Sequence, residues 1–296
     1  MTTTVTLANS VTLGQPSVDD AGVTWWHRGV TGWRDGVPMK ANWTDRPAGP
    51  GVYDTPVFPG ARVVVLTGTA MCPDHQTRLQ AMRRLQAVGA TGSLLSLRIA
   101  DELGELEAMA RRTDKPTITM AGAASFDYTM QFTAPSPRLL DVTTRMVSTQ
   151  MAQSGAGGVQ WNGPAGATGT QWNGPSPGST GLQWGQPTAN GIVTLDNTEG
   201  TDEADVILTI TGPAQTPAVA AGGGWIVYNG ALSASDVLVI NTGSGSVLLN
   251  GVNRRPLLTR ADWFTIPPGG TLDVRFVCDV QNSTASMTAS WRVSYL

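Results

Sequence analysis

Very little in this sequence is suited to covalent or metal chemistry. It holds two histidines and two cysteines in 296 residues, and a structural zinc site needs about four converging Cys or His ligands. The nearest approach, Cys72-x-x-His75, stops at two, so His75 reads as a first-turn helix residue. Charge is scarce as well: charged residues are 14 %, with 19 basic against 22 acidic side chains and a formal charge of −3. Without a basic excess, the counterion-release effect that drives non-specific nucleic-acid binding is missing. Tight DNA binding is therefore not expected. No apolar run approaches the roughly 20 residues that span a bilayer. Nor does Met1-Thr2-Thr3-Thr4-Val5 open a basic stretch followed by an apolar block, the pattern of a signal peptide. Cys72 and Cys278 lie in opposite halves of the chain. In an unexported protein they read as two separate core thiols.

Other reactive signatures fail on context. Gly174-Pro175-Ser176-Pro177-Gly178 matches a Gly-x-Ser-x-Gly elbow in letters only, since that elbow needs a strand before it and a helix after it. The acidic group Asp196, Glu199, Asp202, Glu203 and Asp205 lacks the alternating acid–glycine pattern of a calcium loop, and reads as a solvated turn. No Gly-Lys-Ser/Thr phosphate loop occurs. The expectation is a protein that is not an enzyme and has no cofactor or metal.

What the chain does have is apolar residues spaced for strands. Hydrophobic residues make up 41 %, with 35 glycines and 19 prolines, a balance that favours short strands and many turns. Val5 and Leu7, then Val11 and Leu13, alternate at period two. Trp25, Trp26, Trp33 and Trp43 follow among glycines, a density that predicts a core edge. Pro56 to Gly60 reads as a turn, and Arg62 to Gly68 as a buried strand. One helix is expected: Asp74 caps it, Leu79, Met82, Leu85 and Val88 recur along it, and Gly89 stops it. Leu94 to Ile99 is a strand. Glu105 to Arg112 has helical propensity, yet its place between a Leu103-Gly104 turn and the strand Thr117 to Met120 argues for a strand of a meander. Phe126, Tyr128, Met130 and Phe132 alternate most clearly of all.

From Met146 to Leu195 there is no charged residue. Within that stretch Gln160-Trp161-Asn162-Gly163-Pro164 recurs as Gln171-Trp172-Asn173-Gly174-Pro175, and loosely as Gln183-Trp184-Gly185-Gln186-Pro187. A bare linker has no need of three tryptophans, so short strands or a docked arm are expected. Trp161, Trp172 and Trp184 are the candidate assembly contacts. Eight strands then follow at short intervals, at 192–195, 206–210, 225–228, 237–240, 247–249, 263–266, 272–277 and 290–295. Turn signals separate nearly all of them, a spacing that predicts a sandwich or jelly roll.

The order of these features resembles the distal tail, or hub, proteins of siphophages. The strand Ser125 to Phe132 runs into Thr133-Ala134-Pro135-Ser136-Pro137, similar to the family's proline corner that closes an N-terminal domain. Asp196-Asn197-Thr198-Glu199-Gly200, followed by the strand Ile207 to Ile210 and Thr211-Gly212-Pro213, resembles its Asn-x-Gly turn and Gly-Pro strand. Val247-Leu248-Leu249-Asn250-Gly251 matches a hydrophobic Asn-Gly hairpin. Ile266-Pro267-Pro268-Gly269-Gly270 resembles the Pro-Gly corner, and Trp291-Arg292-Val293 a closing Trp strand. The uncharged insert departs from the family pattern.

The resemblance implies a mainly β fold in two β-rich domains. Residues 1–145 would be a belt-like, ring-forming β domain with one helix, 146–190 a Gly/Trp-rich insert or arm, and 191–296 a galectin-like β-sandwich. It further implies a structural virion protein in a homohexameric ring at the distal end of a tail tube. Its partners would be the tail tube protein, the tape measure protein and the tip or tail-associated hub proteins, with DNA passing through and no membrane insertion. The location would be the virion tail tip, after assembly in the host cytoplasm. The alternative is a lectin-like receptor-binding tail module, with Trp225, Trp263 or the insert tryptophans stacking on sugar.

Overall fold

The computed structural model describes residues 3–7, 11–14, 18–151, 191–279 and 284–296. Contacts divide the chain into two compact units, Met1–Thr143 with Ser294–Leu296, and Thr144–Val293.

The first unit is built on strands β1 (Thr4–Leu7), β2 (Val11–Leu13), β3 (Thr24–Thr31), β4 (Arg62–Met71), β5 (Leu95–Asp101), β6 (Gly104–Arg112), β7 (Thr117–Met120), β8 (Ser125–Ala134) and β9 (Leu139–Asp141). They hydrogen-bond in the order β2-β1-β5-β6-β8-β4-β3, with β7 on β8 and β9 on β6. Strand β6 pairs with β5 over most of its length and with β8 only at Arg111 and Arg112. The sheet therefore bends there and wraps around one core. Period-two alternation does the filling: Phe126, Tyr128, Met130 and Phe132 point inward from β8, with Val64, Leu66 and Ala70 from β4 and Val5 and Leu7 from β1. At Gly68 a Cβ would overlap the Trp26 carbonyl oxygen and the Tyr128 hydroxyl, so only glycine lets β3 and Tyr128 close over β4 there. Burial pushes the Tyr128 phenol well above its ordinary pKa, and the hydroxyl donates to the Trp26 carbonyl at 3.2 Å.

The 105–112 stretch is a strand despite its helix formers, because pairing to β5 and inward placement of Ala108 and Ala110 outweigh local propensity. Helix α1 spans His75–Ala87, and the Asp74 carboxylate caps it by accepting from the Thr77 amide at 2.8 Å. Gly89 follows at φ +65°. The buried face differs from the expected stripe. Arg78, Ala81 and Leu85 are buried and Leu79 is 41 % exposed. Positions 78, 81 and 85 share one face at helical spacing, whereas 79 lies about 100° off it. Arg78 reaches the buried face because its guanidinium donates to the Gly122 carbonyl at 2.7 Å.

The second unit contains β10 (Arg145–Gln150), β11 (Ile192–Asp196), β12 (Val206–Thr211), β13 (Ala218–Ala221), β14 (Gly224–Tyr228), β15 (Val237–Asn241), β16 (Ser246–Leu249), β17 (Val252–Asn253), β18 (Leu258–Ala261), β19 (Thr271–Val277) and β20 (Ser286–Trp291). One sheet runs β10-β20-β12-β15-β16-β17 and the other β11-β19-β13-β14-β18. Their inner faces supply a single core, with Leu208, Ile240 and Met287 from the first sheet and Leu195, Ile226 and Phe276 from the second. Two sheets filling one core this way form a β-sandwich. Among the described residues the fold is mainly β, with one α-helix.

Three details depart from the sequence reading. Residues 145–150, in which an insert was placed from 146, pair with β20 from Arg145↔Trp291 to Gln150↔Ser286. Trp263 to Ile266 is not a strand: only Ile266 makes a bridge, to Ala204. The strand lies just before it, at β18, where register with β14 fixes the backbone. Finally, residues 290–295 are not one strand. After β20 the chain returns to the first unit, where β21 (Ser294–Tyr295) pairs with β9 through Leu139↔Tyr295 and Leu140↔Ser294.

Candidate functional site

The residues with chemical potential are dispersed. His75 opens α1 and its Nδ1 lies 2.8 Å from the Arg78 guanidinium. His27 sits in β3, and burial pulls its pKa below the ordinary histidine value, with a hydrogen bond to the Thr67 backbone opposing. The cysteines are both free thiols, and burial raises Cys72. Among the described residues no three His, Cys, Asp or Glu side chains are grouped to hold a metal, and no described helix is long and apolar enough to cross a membrane. A polar cleft of about 360 Å³ in the first unit is lined by His27, Arg34, Asp35, Asp101 and Glu102 among others. Arg34 and Asp101 neutralise each other across 2.9 Å.

The acidic loop is a structural corner. Arg145 bridges Asp196 at 3.1 Å and Glu199 at 2.5 Å, and the Glu203 carboxylate accepts from Thr265. Hydrogen bonds from Thr198 hold the Asp196 carboxyl below its ordinary pKa. Asn197 is fully buried, and its side-chain amide donates to the carbonyls of Asp202 at 2.8 Å and Pro267 at 3.2 Å. Backbone bonds from Asn197 to the Gly270 carbonyl and from Gly269 to the Gly200 carbonyl complete the joint. The Asn-Thr-Glu-Gly turn and the Pro-Pro-Gly-Gly corner are thus one interlocked feature. The hairpin signal is equally literal: Asn250 and Gly251 take φ +48° and +81° between β16 and β17, as a two-residue hairpin turn requires.

The proline corner is held by a residue that the sequence reading did not single out. Arg62 is 1 % exposed. Its guanidinium donates to the carbonyls of Pro137 (3.0 Å), Trp33 (2.8 Å), Asp35 (3.0 Å) and Gly32 (3.2 Å). Burial lowers its pKa and the nearby Asp35 charge opposes that. The signal was phase: residues 62, 64, 66 and 70 share the inward side of β4.

The first unit also carries an exposed arm. Between Pro38 and Gly60 the chain runs out and back, joined by two short ladders, Met39–Lys40 with Phe58–Pro59 and Thr44–Asp45 with Val52–Tyr53. The Gly60 amide bonds the Pro38 carbonyl at its base. Met39, Trp43, Tyr53 and Phe58 are 54–64 % exposed. Trp25 and Trp33 do build the core, as the aromatic density predicted, but Trp26 and Trp43 are exposed. Alternation along β3 turns Trp26 outward where Trp25 points in, whereas the arm has no strand longer than two residues to set a phase for Trp43. The sequence-named contacts Trp161, Trp172 and Trp184 lie outside the described residues.

Residues 199–295 match the family described as siphovirus-type tail component, C-terminal domain. This range contains the Gly-Pro strand, the Asn-Gly hairpin, the Pro-Gly corner and the closing Trp strand. No curated protein sequence matches. Among solved structures, the Dit protein (gp 19.1) of phage SPP1, described as a paradigm of the hub adsorption apparatus in phages infecting Gram-positive bacteria, aligns with a TM-score of 0.60. The alignment is 13 % identical and covers 91 % of this chain and 93 % of that one. The phage p2 baseplate in its activated conformation aligns with a TM-score of 0.48 at 12 % identity with strontium and 11 % with calcium, in each case over 98 % of this chain and 97 % of that one. The family is one of structural tail components, not enzymes. Residues 199–295 match the siphovirus-type tail component domain, and the chain as a whole shares the fold of the SPP1 Dit protein.

Proposed function

We propose that the chain forms a homohexameric ring at the distal end of the tail tube and joins the tube to the tip proteins. The observation that carries this reading is the 38–60 arm. A side chain such as Trp, Tyr or Phe buries about 150–250 Å², worth a few kcal/mol each at about 25 cal/mol per Å². Leaving Trp43, Tyr53 and Phe58 largely in water forgoes that gain in a lone subunit. A closed cyclic ring uses heterologous contacts, in which an arm on one subunit meets a different surface on the next. In this reading the partners are the tube, tape measure and tip proteins, assembly takes place in the host cytoplasm, and DNA passes without tight binding, in keeping with the absence of basic excess. In outline residues 1–145 act as the ring-forming domain and 191–296 as a galectin-like sandwich, with strand 145–150 added to the sandwich and 294–296 to the first domain. The insert docks through Trp161, Trp172 and Trp184 on assembly. A sugar-binding role has less support, because the Arg255 guanidinium carbon lies 5.8 Å from the centre of the Trp263 ring, over a face a sugar would need.

Mass measurement and electron microscopy of the purified full chain test the proposal. The native chain is expected as a closed ring of six, and Trp43→Ser with Phe58→Ser as a folded monomer. A stoichiometry unrelated to six, or a ring untouched by the double substitution, counts against it. For the insert, Trp172→Ala is expected to weaken assembly while sparing monomer folding.

A further inference from the structure

The second unit is acidic overall, yet one stretch of it runs the other way. It has six arginines against nine acids, and three of the six, Arg254, Arg255 and Arg260, fall within seven residues. This stretch links the two sheets of the sandwich. It begins in β17, the edge of one sheet, passes through a short 3-10 turn at Arg255–Leu257, and ends in β18, the edge of the other. Residues 251–262 are exposed apart from the half-buried Leu258, and Val252 and Leu257 present apolar side chains, 55 % and 40 % exposed.

The backbone here is fixed. The Arg254 amide bonds the Val247 carbonyl at 2.8 Å, and the Arg255 amide bonds the Asn253 side chain at 3.0 Å. Arg255 is held on the Trp263 ring. Stacking holds a guanidinium plane in place and leaves its edge free for a bidentate carboxylate. Arg260 is neutralised by Asp262 at 2.6 Å. Neither Arg254 nor Arg255 has a carboxylate partner among the described residues.

We propose that this surface docks an extended acidic segment of another tail protein, which adds to a sheet edge and places carboxylates on Arg254 and Arg255. The arginines call for negative charge. The adjoining free strand edges and the exposed Val252 and Leu257 call for polypeptide, because main-chain ladder bonds and alternate side-chain contacts are how a strand is recognised. The proposal rests on the reading of the chain as a tail-assembly subunit, and it deepens that reading by assigning this surface to a partner other than a second copy.

The experiment uses the full chain and an array of short overlapping segments from the other proteins of the same virion tail, with polyglycerol phosphate as a second probe. Segments rich in Asp and Glu are expected to bind, and copies with Gln and Asn in their place to lose binding. Arg254→Gln with Arg255→Gln should weaken binding about tenfold, with an unchanged near-ultraviolet dichroism spectrum and unchanged oligomer mass. The proposal is overturned if no acidic segment binds, if the neutral copies bind as well, or if the double variant binds undiminished. Binding of the phosphate polymer alone overturns it in favour of a polymer ligand. Loss of self-assembly in the double variant overturns it in favour of a contact between copies. A wild-type chain that binds the segments but forms no ring would sink the ring reading and leave this one standing.

Discussion

Each unit closes one corner around a buried polar side chain, and the two side chains differ in kind. In the first unit it is Arg62, a cation whose guanidinium spans carbonyls from two distant stretches, 32–35 and 137. In the second it is Asn197, a neutral amide donating to the carbonyls of Asp202 and Pro267. A planar guanidinium has five N–H donors in a fixed fork, whereas an amide has two. The first device can tie more strands with one residue, but it buries a charge whose Nη2 finds no hydrogen-bond partner among the described residues. The second ties less and carries no charge. The cation-tied corner should therefore fail more sharply when its donor is removed.

Arg62→Met provides the largest expected effect. It keeps apolar bulk but leaves the carbonyls of Gly32, Trp33, Asp35 and Pro137 without their shared donor. Leaving a buried carbonyl without its donor costs about 1–3 kcal/mol, and four of them share this one donor. Arg62→Lys should recover little, since one ammonium cannot reach carbonyls on both sides of the corner. Hydrogen exchange followed by mass spectrometry, which resolves the two units, should show protection lost across 24–71 and 125–141 while 192–277 keeps its protection. Equal loss in both units would mean that Arg62 is no local tie.

Asn197→Ala comes next. Two buried carbonyls lose a donor and a small cavity opens, for about 1–3 kcal/mol. The exchange pattern should invert, with 196–206 and 265–272 loosening and the first unit unchanged. A loss as large as that for Arg62→Met would remove the contrast between charged and neutral ties. At the lower end of the scale is Asp74→Ala, which takes the cap from α1. N-cap losses cost about 1 kcal/mol, and the change should be confined to 74–88. An effect at the proline corner would show that the helix and that corner are coupled.

The two corners were also unequally legible in the sequence. Asn197 stood in a turn that the family resemblance marked, and the Asn250-Gly251 hairpin could be read directly because only certain residues accept positive φ at both turn positions. Alternation placed Val5, Leu7, Phe126, Tyr128, Met130 and Phe132 in the core without further help. Arg62 escaped notice because an arginine at a strand end is ordinarily exposed. Its burial depends on carbonyls that fold in from some 30 residues before and 75 after. Leu79 was misplaced for a related reason: recurrence every three residues drifts around a helix of 3.6 per turn, and Arg78 won the inner face by finding a carbonyl. The arm was illegible because its exposure is a property of what does not pack on it. Trp43 and Trp25 look alike in sequence, and only the long ladder of β3 on β4 separates them.

Acid offers the smallest and most selective way to tell the units apart. Both histidines, His27 and His75, lie in the first unit, and the second has none. Burial lowers the pKa of His27 in the folded chain from the ordinary 6.5, so the unfolded chain binds its proton more readily. Between the folded and unfolded values the unfolded state then carries more protons, and stability rises with pH. Above about pH 6.5 the contribution is flat, and as pH falls from 6.5 toward the lowered value stability is lost. The carboxylates held low by hydrogen bonds, Asp74 in the first unit and Asp196, Asp236 and Asp262 in the second, act in a lower window. Their stabilisation is present above the unfolded value near 3.8 and disappears as pH falls through the lowered one, so it affects both units alike. Between pH 7 and 5, exchange protection should therefore decline in the first unit and hold in the second. His27→Gln should flatten the first unit's response across that window while leaving the common loss below pH 4 in place. If the second unit weakens equally between pH 7 and 5, or if His27→Gln leaves the decline intact, another group is responsible.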